Sequence, residues 1–169
     1  MSLPVEVRDD VFALLATDLH ERIPMTKFLG IHFVEFEPGR IVLGAPLGPS
    51  LNHRGTAFGP GVFTAAGLAP WLLLVRAAWA ERLAVQILLR RCEFAIHRPI
   101  TCDYRARCNT LPELEADTLR QGGKVRLTAT SQVFIDEGEP AATYTAHFTL
   151  LAGAGEGDLA LPFPEAWRT

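Results

Sequence analysis

Residues 52–80 read NHRGTAFGPGVFTAAGLAPWLLLVRAAWA, and between Arg54 and Arg76 they hold no charged side chain. A run that long and apolar is either a membrane span or a helix buried on all sides. Gly55, Gly59, Pro60, Gly61, Gly67 and Pro70 interrupt it. Its first third therefore reads as a turn leading into a helix, with Pro60 in the first helical turn, where its missing N–H costs nothing. The stretches on either side alternate apolar and polar residues like sheet strands, which a single-span anchor does not need. The expectation is a buried core helix and no membrane partner.

Upstream, IHFVEFEPGRIVLGAPL begins at Ile31. It reads as a hairpin of strands Ile31–Glu37 and Arg40–Ala45, because Glu37-Pro38-Gly39-Arg40 has Pro and Gly where a type II turn requires them. Before it, Val7, Val11, Leu14, Leu15 and Leu19 recur at three- and four-residue steps with acids on the other side. That spacing predicts an amphipathic helix over 4–22, with Pro4 in its first turn and Glu6, Asp9 and Asp10 complementing its N-terminal dipole. Pro24 to Leu29 is expected to add one turn that Gly30 ends.

Downstream, strands are expected over Leu83–His97 and Ile100–Asn109, broken by Arg98-Pro99, and a short helical excursion over Leu111–Gln121 stopped by Gly122-Gly123. A second hairpin follows, Val125–Ile135 and Ala141–Leu151. The tail, 152–169, is rich in Gly and Pro and is expected along the surface, with Trp167 as an anchor. One domain over 1–169 accounts for this order, with its core in about 23–151. The fold class is α+β, an antiparallel sheet curled around one buried helix, since a helix apolar on every face needs more cover than a flat sheet gives.

Composition sets the limits of function. The chain has 169 residues, 49% hydrophobic, and a net charge of −3. Its arginines are scattered apart from Arg90-Arg91, so no nucleic-acid surface is expected. Cys92, Cys102 and Cys108 form no Cys-x-x-Cys pair and are read as small apolar fillers in a reducing cytoplasm, without disulfide or metal. The N-terminus lacks a basic and apolar leader pattern.

Asn52-His53-Arg54-Gly55-Thr56-Ala57-Phe58-Gly59-Pro60, followed by the apolar helix, resembles the Asn-x-x-Gly-x-x-His-Gly-Gly segment of hotdog-fold acyl-CoA thioesterases. Glu93 to Tyr104, with Arg98-Pro99-Ile100-Thr101-Cys102-Asp103, resembles the Arg-Pro-Val-x-Gly-Asp junction of that superfamily. More specifically, IPMTKFLGIHFVEFEPGRIVL together with NHRGTAFG resembles the thioesterase domain at the C-terminus of some bacterial acetyltransferase-like proteins. The likeness covers about Ile23 to Leu151. It implies a hotdog fold, a homodimer or dimer of dimers with sites at the subunit interface, and an acyl thioester as substrate. Coenzyme A or pantetheine would then belong to the substrate, with no further cofactor.

A thioesterase must polarise the thioester carbonyl and deliver water. Glycines allow close backbone approach, and N–H groups at a helix start point at a developing oxyanion, which makes Gly59 the leading catalytic candidate. Asn52 positions water or thioester in the resembling family, and a turn-forming Asn is its other reading. His53, Thr56, Phe58 and Gly61 are candidates for binding substrate. The resemblance places a catalytic acid at the position of Gly67 and a His at Phe58, and both are absent. Thr64 is then a candidate to hold water, and Asp103 or Glu93 to supply a carboxylate. Arg91 and Arg98, with Arg90, are candidates for coenzyme A phosphates. Two functions fit: an acyl thioesterase acting on an uncharged acyl group, or a non-catalytic acyl-binding or structural hotdog protein.

Overall fold

A computed structural model describes residues 5–111, 113–153 and 161–165, with side chains from residue 8 onward. Helix α1 spans Val5–Arg22 and α2 Pro24–Phe28, followed by strands β1 (His32–Glu37) and β2 (Arg40–Ala45). A 3-10 turn at Gly48–Ser50 leads to the long helix α3, Gly59–Ala80. Strands β3 (Val85–Ile96) and β4 (Tyr104–Cys108), helix α4 (Ala116–Arg120), and strands β5 (Lys124–Phe134) and β6 (Ala142–Ala152) complete it. The strands form one antiparallel sheet in the order β1-β2-β4-β5-β6-β3.

The local readings follow their physical causes. Gly39 sits at φ 76° in the first hairpin and Gly30 at φ 65° after α2, conformations open to glycine at little cost. In α1 the face that meets the sheet is Phe12, Leu15 and Leu19, with Phe12 6.0 Å from the Phe33 ring, while Leu14 is 54% exposed. Leu14, counted with the apolar stripe by its spacing, lies off it: packing on Phe33 turns the stripe toward Phe12. The side chain of Val7 lies outside the described residues.

The strand expected over Ile100–Asn109 is shorter, Tyr104–Cys108, because the Ile100 carbonyl accepts the Ala57 N–H at 2.8 Å and ties this segment to the turn before α3. The excursion over 111–121 tightens to the single turn of α4. In the tail, Phe163 packs on Phe36 and Trp79 at 5.7 and 5.2 Å; Trp167 lies outside the described residues. The filler reading holds for buried Cys108 but not for Cys102, which is exposed.

Helix α3 is long and apolar enough to cross a membrane, yet 72% of its most apolar window is buried inside the protein. Leu72, Leu73 and Leu74 are at most 1% exposed. This is a core helix, covered by β2, β4, β5, β6 and β3. Arg76, which ends its uncharged run, is also buried; desolvation pulls its pKa down, and Glu37 opposes that.

Pro70 lies inside α3 and leaves the carbonyl of Ala66, four residues earlier, without its usual N–H donor. The fully buried hydroxyl of Ser131 on β5 donates to that oxygen at 2.6 Å. The helix thus runs through a proline because a strand supplies the missing hydrogen bond. Ser131→Ala should cost about 1–3 kcal/mol in chemical denaturation, since it strands a buried acceptor. A loss under about 0.5 kcal/mol, the range of a neutral surface change, would show that Ala66 is satisfied without it.

Candidate functional site

The turn before α3 is organised by Asn52. Its Oδ1 accepts the N–H groups of Arg54 and Thr56 at 2.8 and 3.3 Å, and its Nδ2 donates to Thr56 Oγ1 and the Ala57 carbonyl at 2.9 and 3.4 Å. Gly55, at φ 75°, closes the turn by donating to the Asn52 carbonyl. Asn52 and Thr56 are therefore engaged with each other. His53 is exposed on the same turn.

The turn delivers the chain to α3 in an unusual state. Phe58 is the N-cap and its side chain cannot accept a hydrogen bond. The Gly61 and Val62 N–H groups both donate to the Phe58 carbonyl, at 2.9 and 3.3 Å, and Pro60 has no N–H. The Gly59 N–H alone, in this first turn, has no protein acceptor among the described residues. It sits at the positive end of a 22-residue helix dipole, with no acid in the first turn.

The surroundings are apolar. A Cβ on Gly59 would lie 3.7 Å from Ile96 Cδ1 on β3, and both Phe58 and Ile96 are about half exposed. Behind them, the Phe63 ring meets Phe94 and Tyr144 edge-on at 5.6 and 5.2 Å. Gly67 leaves room for the Tyr144 phenol: a Cβ there would stand 3.3 Å from its hydroxyl oxygen. Burial, with a further contribution from Cys92, pushes the Tyr144 hydroxyl well above the usual phenol range, so it stays protonated. Tyr144 was not legible as a site neighbour, since only the β3–β6 pairing brings it against the helix.

The other candidates are dispersed. Gly61 is buried, with its Cβ position 2.7 Å from Ser50 Cβ, so it serves close approach to the 3-10 turn and does not line the mouth. The Thr64 hydroxyl donates to the Pro60 carbonyl at 2.9 Å and faces Met25. Asp103 accepts the Leu47 N–H at 2.9 Å, on a cleft that opens on the other face of the sheet. Arg91 pairs with exposed Glu93 at 2.8 Å. Arg98 grips both oxygens of Asp136 at 3.0 and 2.8 Å and the Glu139 carbonyl at 2.7 Å, latching the β5–β6 turn to the end of β3. That pair draws the Asp136 pKa down and the Arg98 pKa up. Among the described residues no cluster of His, Cys, Asp and Glu could hold a metal.

Residues 12–152 match the family profile described as "Putative thioesterase (yiiD_Cterm)". No curated protein matches the chain. Among solved structures, a protein of unknown function from Chlorobaculum tepidum is 23% identical, over 86% of this chain and 96% of that one, with TM-score 0.75. A "putative thioesterase" from Shewanella oneidensis is 21% identical over 86% and 99%, also at TM-score 0.75. A "Probable Thioesterase" of Pseudomonas aeruginosa is 23% identical over 90% and 99%, at TM-score 0.66. A six-stranded antiparallel sheet around one apolar helix, shared across these chains, is the hotdog fold of thioesterases. With more than half of its residues inside the profile, the chain belongs to this hotdog-fold thioesterase family, the yiiD C-terminal domain family.

Proposed function

We propose that the chain hydrolyses an uncharged acyl thioester, carried on coenzyme A or a pantetheine arm, at the start of α3. The observation that carries this reading is the Gly59 N–H, without an acceptor among the described residues, at the positive end of a buried helix and beside an apolar surface of Phe58, Ile96 and Phe63. A preset donor there costs no reorganisation when the thioester carbonyl becomes an oxyanion. The hydrocarbon or aromatic acyl group would lie along the apolar side chains, which offer nothing to a charged one.

An unpaired sheet edge supports a homodimer. Among the described residues strand β3 pairs only with β6, and its twelve residues include Leu88, Leu89 and Ile96, each more than 40% exposed. A long edge with exposed leucines invites another strand, and the other edge strand, β1, is packed by α1. Pairing β3 with its copy would place Ile96, and with it Gly59, at the subunit boundary. Light scattering at micromolar concentration should give the dimer mass or a multiple of it. A monomer mass would remove the shared site.

The rival reading is binding of an acyl group without turnover. It is favoured by the same geometry: Asn52 and Thr64 are engaged locally, Asp103 faces elsewhere, and the first turn of α3 holds no acid. A panel of acyl-CoA esters assayed by thiol release, with Asn52→Ala as control, separates the two. Release from at least one chain length, lowered in Asn52→Ala as its turn loosens, supports hydrolysis; none above background leaves binding alone.

A further inference from the structure

On the outer face of the sheet, turned away from α3, the His32 imidazole fills the space that a side chain on Gly44 would take. His32, Gly44, Arg105 and Phe134 stand in register across β1, β2, β4 and β5. Any Cβ at Gly44 would collide with the His32 imidazole, so glycine here is what lets that ring lie across β2. The ring's Nδ1 is 3.1 Å from the Gly30 carbonyl, which only accepts, so Nδ1 carries a proton and Nε2 lies over Gly44. The result is a cleft of about 520 Å³, lined also by Arg107, Asp103, Asp136 and Glu137.

The charges in this cleft are unevenly engaged. Asp103 accepts the Leu47 N–H, and Asp136 is held by Arg98 and by the Gly138 N–H. Glu137, exposed, also lines the cleft. Arg105 and Arg107 have no carboxylate partner among the described residues, unlike Arg91, Arg98 and Arg120. The Arg107 guanidinium lies 4.2 Å from the centre of the Phe134 ring, which restricts the plane of its donors. Exposed arginines usually point into water. Here two lie on adjacent alternate positions of one strand, beside the His32 imidazole, in a cavity of small-ligand size.

Forked guanidinium donors match the oxygens of a phosphate two at a time, as they do those of a carboxylate. We infer that this cleft binds a phosphate-bearing small molecule, on the sheet face opposite the α3 site. The inference is independent of thioester hydrolysis. The phosphate could come from a free nucleotide or from the nucleotide part of coenzyme A, and the two share the chemistry read by Arg105 and Arg107.

Calorimetric titration of the full chain with inorganic pyrophosphate, ADP and coenzyme A tests it. At least one should bind, with affinity lowered about tenfold or more in Arg105→Gln and in Arg107→Gln, as for loss of a charge-assisted pair of bonds. Both side chains lie on the outer face, and thermal melting checks that the variants fold. Pyrophosphate or ADP binding as tightly as coenzyme A assigns the site to free phosphates. Arginine-dependent binding of coenzyme A alone assigns it to the carrier. No binding of the three at millimolar concentration, or binding that neither substitution weakens, overturns the inference.

Discussion

Replacing Gly59 with valine is expected to leave a folded protein that has lost acyl-thioester turnover, or acyl binding if the protein does not hydrolyse. Two features make this a sharp test. The glycine does not have a left-handed φ, and a Cβ at this position would lie 3.7 Å from Ile96 Cδ1, an ordinary contact, so the substitution does not strain the backbone. Its branched methyls, however, would stand beside the one N–H of the first α3 turn that has no acceptor among the described residues. Removing access to one oxyanion donor typically costs about 10²–10³ in kcat. Melting must be run in parallel. A Gly59→Val protein that folds as the parent does and still processes its acyl ligand at the parental rate would refute this placement of the site.

The second large effect concerns the helix itself. Leu73 is 1% exposed, between Leu72 and Leu74, which are fully buried. Leu73→Ala removes that burial and leaves a cavity that the surrounding strands close only in part, which costs about 2–5 kcal/mol. Set against a total stability of roughly 5–15 kcal/mol for a domain, that is a large fraction. Denaturant titration measures it, and a shift of a few tenths would mean that α3 is peripheral.

The fold was legible where one local pattern sufficed. Pro38-Gly39 specified the first hairpin, Gly30 the end of α2, and the uncharged run after Arg54 the central helix. What was not legible depended on partners far away in sequence. Pro70 reads as a breaker because the compensating donor, Ser131, is 65 residues from the Ala66 carbonyl that it satisfies. Leu14 and Phe12 are both apolar on α1, and only the position of Phe33 decides which is buried. Cys102 sits in a segment held by the turn before α3 and not in a strand, so it faces solvent.

The candidate site divides in the same way. The loop from Asn52 to Gly59 could be read from the sequence because its turn is built from its own residues, and the structure shows how Asn52 builds it. Arg98 has the composition of a phosphate binder, but its guanidinium is engaged by Asp136, 38 residues away. Gly44 and Arg105 look unremarkable alone. Their meaning comes from register across β1, β2, β4 and β5, which no single stretch of sequence contains.

The most direct test of the central claim is a crystal structure with a non-hydrolysable acyl-CoA analogue in which a ketone replaces the thioester. Its carbonyl oxygen should lie about 2.7–3.1 Å from the Gly59 nitrogen, the distance that oxyanion stabilisation requires. The acyl chain should run past Phe58 and Ile96. An analogue bound elsewhere, with the Gly59 N–H still without an acceptor, would contradict the claim.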